Sequence, residues 1–316
     1  MTQPKVLVCD FGFSAMKWQF DGCRGRFRSA LRRSHDGIQV GDEVLVKTGA
    51  SYVKTLDELI SYYPIFVREA AKISGVDAYE GEVSLAVGLP YSFFKFEEEN
   101  SAGMANAHQA LRQSLDDLGR FSDIMVIPQG LGGIKAFEYS CNADGGVAGN
   151  ILGIDIGFNT CIYNLYDTEQ RKIVSGDTLM KRGVHDLSMN YLLPLIAHHS
   201  SSRSFTPIEL SQLIESKEIQ RGFELIDIRP EIESAATSYV EALMSDITND
   251  LIAHVGVNAR FKNVVIFGGG ANLLPADGGI KNGKGINIFI PQEPEFSNAI
   301  GFDLVISKAL ESKYSA

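Results

Sequence analysis

The sequence predicts an α/β protein of two similar domains, each built on a mixed sheet. Three observations carry this. A hydrophobic run, an Asp-x-Gly turn and a second apolar run occur at residues 6–20 (VLVCDFGFSAMKWQF) and again at 151–166 (ILGIDIGFNTCIYNLY). After each copy, helical periodicity alternates with lone strands, the order expected of α/β domains. The 316 residues also exceed the usual size of one hydrophobic core. The repeat defines a first domain over 1–150, with a small inserted subdomain near 30–80, and a second over 151–316.

In chain order, residues 5–10 read as the first strand and 15–20 as its hairpin partner. The basic run 24–33 (RGRFRSALRR) follows between strands, either as a solvated edge or as a contact for a ligand or partner. Short alternating strands fill 38–53. Leu56, Leu59, Ile60, Tyr63 and Val67 follow helical spacing, with Pro64 as an interruption. Residues 83–89 are a buried strand, 101–118 a helix, and 123–130 a strand ending in Pro128-Gln129-Gly130. In the second half, 171–177 is an edge strand, and Gly183 opens a helix to about 197, bent or shortened at Pro194. A helix starts at Thr206-Pro207 after the polar linker Ser201–Ser204. The longest helix covers 231–257, with Ile232, Ala236, Tyr239, Leu243, Ile247 and Leu251 inward. The strand 263–267 runs into Gly268-Gly269-Gly270, and a short strand at 286–290 precedes a final helix over 297–313.

An apolar fraction of 45% with 22% charged residues is ordinary for a globular protein. The start of the chain has no basic segment leading into an apolar signal core, and no apolar run reaches the about 18 residues of a membrane span. A cytoplasmic location, without membrane association, is the expectation. Cys9, Cys23, Cys141 and Cys161 lack metal-site spacing, and Cys9 and Cys161 sit within apolar strands as small core residues. The net charge of −10 argues against direct nucleic-acid binding. His198 and His199 read as a surface helix end, His185 as a capping or packing residue, and Trp18 as core. The segment 93–100 reads as a solvated loop or helix start with an aromatic patch.

Asp10, Gln129, Asp155 and Gly268–Gly270 all fall at strand ends, where α/β folds bind ligands, so one shared cleft is expected. Gly12 and Gly157 allow sharp bends and let phosphate oxygens approach backbone N–H groups. Asp10 and Asp155 would repel a polyphosphate directly; a magnesium ion with its water shell resolves that conflict. Lys17 is the cation able to reach β- and γ-phosphates, and Ser14 and Asn159 can donate to the same oxygens. Gly268, Gly269 and Gly270 let a base, ribose or α-phosphate lie against the main chain. Neither a dinucleotide fingerprint nor a P-loop is present.

Six segments, in order, resemble the actin-like ATPases, and among them the bacterial plasmid-partitioning family of the ParM or StbA type. They are DFGFSAMKWQ (10–19), VIPQGLGGIKAFE (126–138), IDIGFNTCI (154–162), GVHDLSMNYL (183–192), VVIFGGGANLL (264–274) and NAIGFDLVI (298–306). The resemblance implies the actin-like ATPase fold of the actin/Hsp70/hexokinase superfamily, with two α/β domains around a nucleotide cleft. It implies that Asp10 and Asp155 organise magnesium, and that Gly12, Ser14 and Lys17 hold phosphates from one side. Gly157, Asn159 and Thr160 would hold them from the other. Gln129 takes the position that orients the attacking water, a positioning role because an amide is a weak proton acceptor. Gly269 and Gly270 would back the adenosine and α-phosphate, and Gly183 would begin a helix facing the nucleotide. Lys217 and Glu218, or Arg221, would reach ribose or base from a helix over 207–221. Two departures from the family pattern are Phe13 and Phe158, rings that either narrow the phosphate turns or pack into the domains.

The function so implied is magnesium-dependent ATP hydrolysis to ADP and phosphate, coupled to self-association into filaments. Such filaments would segregate plasmid DNA through a DNA-bound adaptor protein. The alternatives are a small-molecule kinase of the same fold, for which no convincing acidic base is present, and a nucleotide-dependent assembly adaptor that forms no filament.

Overall fold

The computed structural model describes residues 4–35, 37–44, 50–94, 105–141, 146–199, 205, 207–256, 260–275, 278–279 and 285–314. The chain forms two compact units: Met1–Val147 together with Phe296–Ala316, and Ala148–Glu295.

In the first unit, β1 (Lys5–Phe11), β2 (Ala15–Phe20) and β3 (Cys23–Arg28) form an antiparallel meander. The basic run therefore lies within strands: β3, and β4 (Ala30–Ser34), which with β5 (Gly37–Val40) and β6 (Ala50–Tyr52) makes a separate three-stranded sheet. Then come α1 (Leu56–Ser74), β7 (Val83–Leu89), α2 (Ala105–Asp116), β8 (Ile124–Pro128) and α3 (Leu131–Cys141). The expected helix start at 101 and most of the segment 93–100 lie outside the described residues. The main sheet has the order β3-β2-β1-β7-β8, with β1, β7 and β8 parallel.

Alternate residues of β1 face opposite sides of this sheet. Leu7, Cys9 and Phe11 pack with Tyr63, Phe66 and Val67 of α1, whereas Val8 packs with Ala86, Ile127, Phe302 and Ile306. Helix α1 starts at a cap: Glu58 N donates to Thr55 Oγ1 at 3.2 Å while the Glu58 carboxylate accepts from Lys54 N at 2.8 Å. It runs unbroken through Pro64, against expectation. The buried Tyr63, Phe66 and Val67 on either side offset the single backbone bond that proline removes.

In the second unit, β9 (Asn150–Ile156), β10 (Thr160–Asp167) and β11 (Lys172–Met180) repeat the meander. A helical stretch follows: α4 (Val184–Asp186), a π-helical turn (Leu187–Leu192) and α5 (Leu193–Ile196). Pro194 falls at the first turn of α5, where its missing N–H is tolerated. Next are α6 (Pro207–Ser216), the hairpin β12 (Glu218–Arg221) and β13 (Glu224–Asp227), α7 (Arg229–Val255), β14 (Asn263–Phe267) and β15 (Asn287–Phe289). The linker Ser201–Ser204 and Thr206 lie outside the described residues. Every residue expected inward on α7 is buried. The sheet order β11-β10-β9-β14-β15, with β9, β14 and β15 parallel, repeats that of the first unit strand for strand. What the sequence shows as a repeated turn is thus a repeated sheet topology.

The units change over at Val147/Ala148, close to the expected residue 150, but the last helix, α8 (Ser297–Tyr314), groups with the first unit. Its Phe302, Ile306 and Leu310 cover the second face of the first sheet. Gln19 Nε2 donates to Asp303 at 2.9 Å and Lys313 Nζ to Asp123 at 2.7 Å. Where α8 crosses α3 the backbones touch. A Cβ on Gly301 would overlap the Gly132 carbonyl, and one on Gly132 would sit 2.5 Å from the Asn298 carbonyl oxygen. We predict that Gly301→Ala, by forcing these helices apart, lowers stability by about 1–3 kcal/mol, and Gly301→Val by more. Urea unfolding of the full chain measures it, and an unchanged midpoint would refute the close crossing.

Candidate functional site

The first cluster forms at the tip of the β1–β2 hairpin and the ends of β7 and β8. Gly12 N donates to Ala15 O at 3.1 Å to close the turn. Ser29 holds this turn from outside: its Oγ donates to Gly12 O, and its N–H to Ser14 O at 2.9 Å. In a trans peptide the N–H points opposite to the C=O. Fixing the carbonyls of Gly12 and Ser14 on Ser29 therefore directs the N–H groups of Phe13 and Ala15 the other way, as an anion site requires.

Asp10 stands opposite Lys17 in the hairpin register. Its carboxylate is 5% exposed, and each oxygen has a partner: Gln129 Nε2 donates to Oδ1 at 2.8 Å, and Lys17 Nζ lies 3.7 Å from Oδ2. The Gln129 amide also donates to Phe11 O at 3.2 Å, and its backbone N–H to Leu89 O at 2.7 Å. The Tyr63 hydroxyl accepts from Gly88 N at 3.1 Å and lies within hydrogen-bond reach of the Cys9 and Gly88 carbonyls, tying β1 to β7 beneath the cluster. Burial pushes the Tyr63 pKa well up, so it stays a phenol. Phe13 packs into the core of this unit.

The second cluster is the equivalent turn of the second unit. Gly157 N donates to Thr160 O at 2.9 Å. Here α4 takes the place of Ser29: Val184 N donates to Gly157 O at 2.9 Å and His185 N to Phe158 O at 2.8 Å. The same peptide geometry turns the N–H groups of Phe158 and Asn159 away from the helix. A Cβ on Gly183 would sit 2.5 Å from Phe158 O, so glycine lets the helix dock this closely. The half-buried Phe158 packs edge-on against His185, with ring centroids 6.0 Å apart. Arg182 anchors the entry to α4: it donates to Asp186 at 2.7 Å and pairs with Asp246, while its carbonyl accepts from Tyr239 at 2.6 Å.

Asp155 lies in parallel register with Phe267, so Gly268 meets it at the end of β14. Gly268 has φ 84°, and a Cβ there would overlap Asp155 Oδ1 and approach Ile156 O to 2.6 Å. Gly270 packs against Ile156 and Val184, while Gly269 between them is exposed with open space above it.

The structure thus gathers Asp10, Gly12, Ser14, Lys17 and Gln129 in one cluster. It gathers Asp155, Gly157, Asn159, Thr160, Gly183, Gly268 and Gly270 in another, with Gly269 beside them. It does not gather Lys217, Glu218 and Arg221. The expected helix over 207–221 ends at Ser216, Lys217 turns the chain at φ 61°, and Glu218 and Arg221 belong to the β12–β13 hairpin. All three are exposed, and among the described residues no hydrogen bond or ion pair joins them to either turn. Ser29, Arg182 and Asn298 escape a reading by motif, although Arg182 and Asp186 at i,i+4 around a helix start were a visible signal.

This is the actin-like fold. The chain is similar in structure to Ta0583, an archaeal actin homolog (TM-score 0.68, 16% identity, 96% of this chain and 99% of that one). It is similar to the subunit of a 15-stranded ParM filament from Clostridium botulinum (TM-score 0.61, 17% identity, 97% and 100% covered). It also resembles MreB5 of Spiroplasma citri bound to ADP (TM-score 0.65, 11% identity, 99% of both chains). The sequence matches no known protein-family model. No curated protein matches it.

Gly268→Ala should be among the most damaging single substitutions in the second unit. It adds strain at positive φ to a clash with a buried carboxylate, together about 2–4 kcal/mol. Thermal unfolding checks this, and a variant as stable as the parent would refute the packing of Gly268 on Asp155.

Proposed function

We propose that this chain is a magnesium-dependent ATPase that self-assembles into filaments under nucleotide control. The observation that carries this reading is the repeated turn, with carbonyls tied back and N–H groups directed outward, beside a buried aspartate at a strand end in each unit. Such turns suit phosphate oxygens, and two of them suit a polyphosphate. MreB5, one of the structural neighbours, is bound to ADP, and another neighbour is a ParM filament.

In this reading Phe13, Ala15, Phe158 and Asn159 donate backbone hydrogen bonds to phosphate oxygens, and Lys17 adds a positive charge. Gly268–Gly270 back the adenosine and α-phosphate. The residues present fit magnesium. Asp10 and Asp155 offer hard oxygen donors at the two turns, and Asp10 is already held in place by an amide and an ammonium group. When bound, magnesium neutralises phosphate charge and organises water. Gln129 donates its amide hydrogens to Asp10 and Phe11, which fixes the side chain beside the first turn, and its role in this reading is to orient the attacking water. Lys17 and the backbone donors then stabilise charge developing on the transferred phosphoryl group.

Hydrolysis removes the γ-phosphate contacts and so changes the relative stability of two conformations, the basis of a polymerisation switch. Head-to-tail addition gives an open filament. With a net charge of −10, the filament would reach plasmid DNA through a DNA-bound adaptor and not by direct contact.

Light scattering should rise when ATP and magnesium are added, fall as ADP accumulates, and stay flat when the metal is chelated. Electron micrographs of the ATP sample should show filaments. Lys17→Ala should weaken ATP binding about tenfold or more, through loss of a charge-assisted contact. Asp155→Ala should abolish magnesium-dependent turnover. Absence of nucleotide-dependent polymer over a broad protein range, with phosphate release instead stimulated by a small acceptor, would replace this reading with that of a kinase.

A further inference from the structure

We infer that Asn298, on the C-terminal helix, is a positioning residue for Gln129; this role rests on the proposed ATPase reading. Asn298 is the second residue of α8 and is 3% exposed. Its Oδ1 accepts two hydrogen bonds, from Gly130 N at 3.1 Å and from Gly133 N at 3.3 Å. Both donors lie at the start of α3, where the first-turn N–H groups have no intrahelical acceptor. A cap normally comes from the residue just before its own helix. Here it comes from a different helix, 168 residues further along the chain.

That cap acts directly on the candidate water-orienting residue. The Gly130 N–H belongs to the same peptide plane as the Gln129 carbonyl, so Asn298 fixes the plane leaving Gln129 while Leu89 O fixes the N–H entering it. Gly130 then turns at φ 90°, a conformation that gives no side-chain-bearing residue easy access. The surroundings remove the remaining freedom. A Cβ on Gly88 would lie 2.9 Å from Gln129 Cγ and 2.6 Å from the Phe302 ring, so the glutamine stem runs through a slot walled by β7 and α8. The Gly132–Gly301 crossing brings the two helix starts close enough for a short amide side chain to reach. Gln129 is thereby held at its backbone by Asn298 and at its amide by Asp10.

Loss of the Asn298 acceptor frees the peptide that carries Gln129 without touching the phosphate turns. Turnover should therefore suffer and nucleotide binding should not. In the full-length chain, Asn298→Ala is expected to lower kcat for ATP hydrolysis about tenfold with KM changed less than about twofold. Asn298→Asp, which keeps an oxygen acceptor and adds charge favourable to a helix start, should restore kcat to within about threefold. Asn298→Leu, with the same branching and number of heavy atoms, serves as the acceptor-free variant if the alanine form does not fold. Added to Gln129→Ala, Asn298→Ala should cost little more, because both act through one side chain. Hydrogen exchange at the Gly130 and Gly133 amides should speed up in the alanine and leucine variants and not in the aspartate variant.

Three results would overturn the role while leaving the ATPase reading intact: an active parent with unchanged kcat in the acceptor-free variants, equal impairment by alanine and aspartate, or full additivity with Gln129→Ala. A parent that hydrolyses no ATP would overturn both.

Discussion

A carboxylate taken out of water at the end of a sheet must be compensated where it stands, and Asp10 shows how much structure that demands. Its two oxygens are met by groups from β2 and from just beyond β8, so the hairpin and the far edge of the parallel strands must end together. The cost of an unpaired buried charge is several times that of an ordinary hydrogen bond. Strand lengths and register in the first sheet are therefore constrained at this point more than anywhere along the purely apolar strands. Asp155 is also buried, and it sits beside the α-carbon of Gly268, where the missing side chain leaves room for the carboxylate.

The two turns follow one design with different supports. Each closes with a glycine N–H on the carbonyl three residues ahead, and each has later carbonyls bound from behind. In the first turn a serine after β3 supplies those bonds, and in the second the opening peptides of α4 do. What is common is the consequence: peptide planarity converts a bound carbonyl into an N–H aimed the opposite way. Two unrelated supports reaching the same orientation is stronger support for a functional turn than the Asp-x-Gly motif alone.

The local features were legible because their signals are local. Alternation fixes the faces of β1 and β9, a 3.6-residue period fixes the buried stripe of α7, and Asp followed by glycine marks both turns. Features set by tertiary contact were not. Nothing in residues 297–313 says that this helix covers Val8, Ala86 and Ile127 in the first unit, because an apolar stripe records that it is buried and not against what. The helix expected over 207–221 ends at Ser216, before Lys217. The chain instead turns there at positive φ, allowing Ile219 of the following hairpin to bury itself. Pro64 was read as a break, yet the packing of its neighbours outweighs one missing bond.

The position of α8 has a consequence for how the first unit comes to exist. Its sheet, its Asp-x-Gly turn and Gln129 are all in place within the first 129 residues of sequence. One face of that sheet and the cap on α3 arrive only with the last 20 or so residues. Until α8 docks, Val8, Ala86 and Ile127 lack their cover, and the Gly130 and Gly133 N–H groups lack Asn298. Contacts of such sequence separation must overcome loop-closure entropy before they contribute. The arrangement makes completion of the Gln129 support conditional on docking of α8 onto the rest of the first unit.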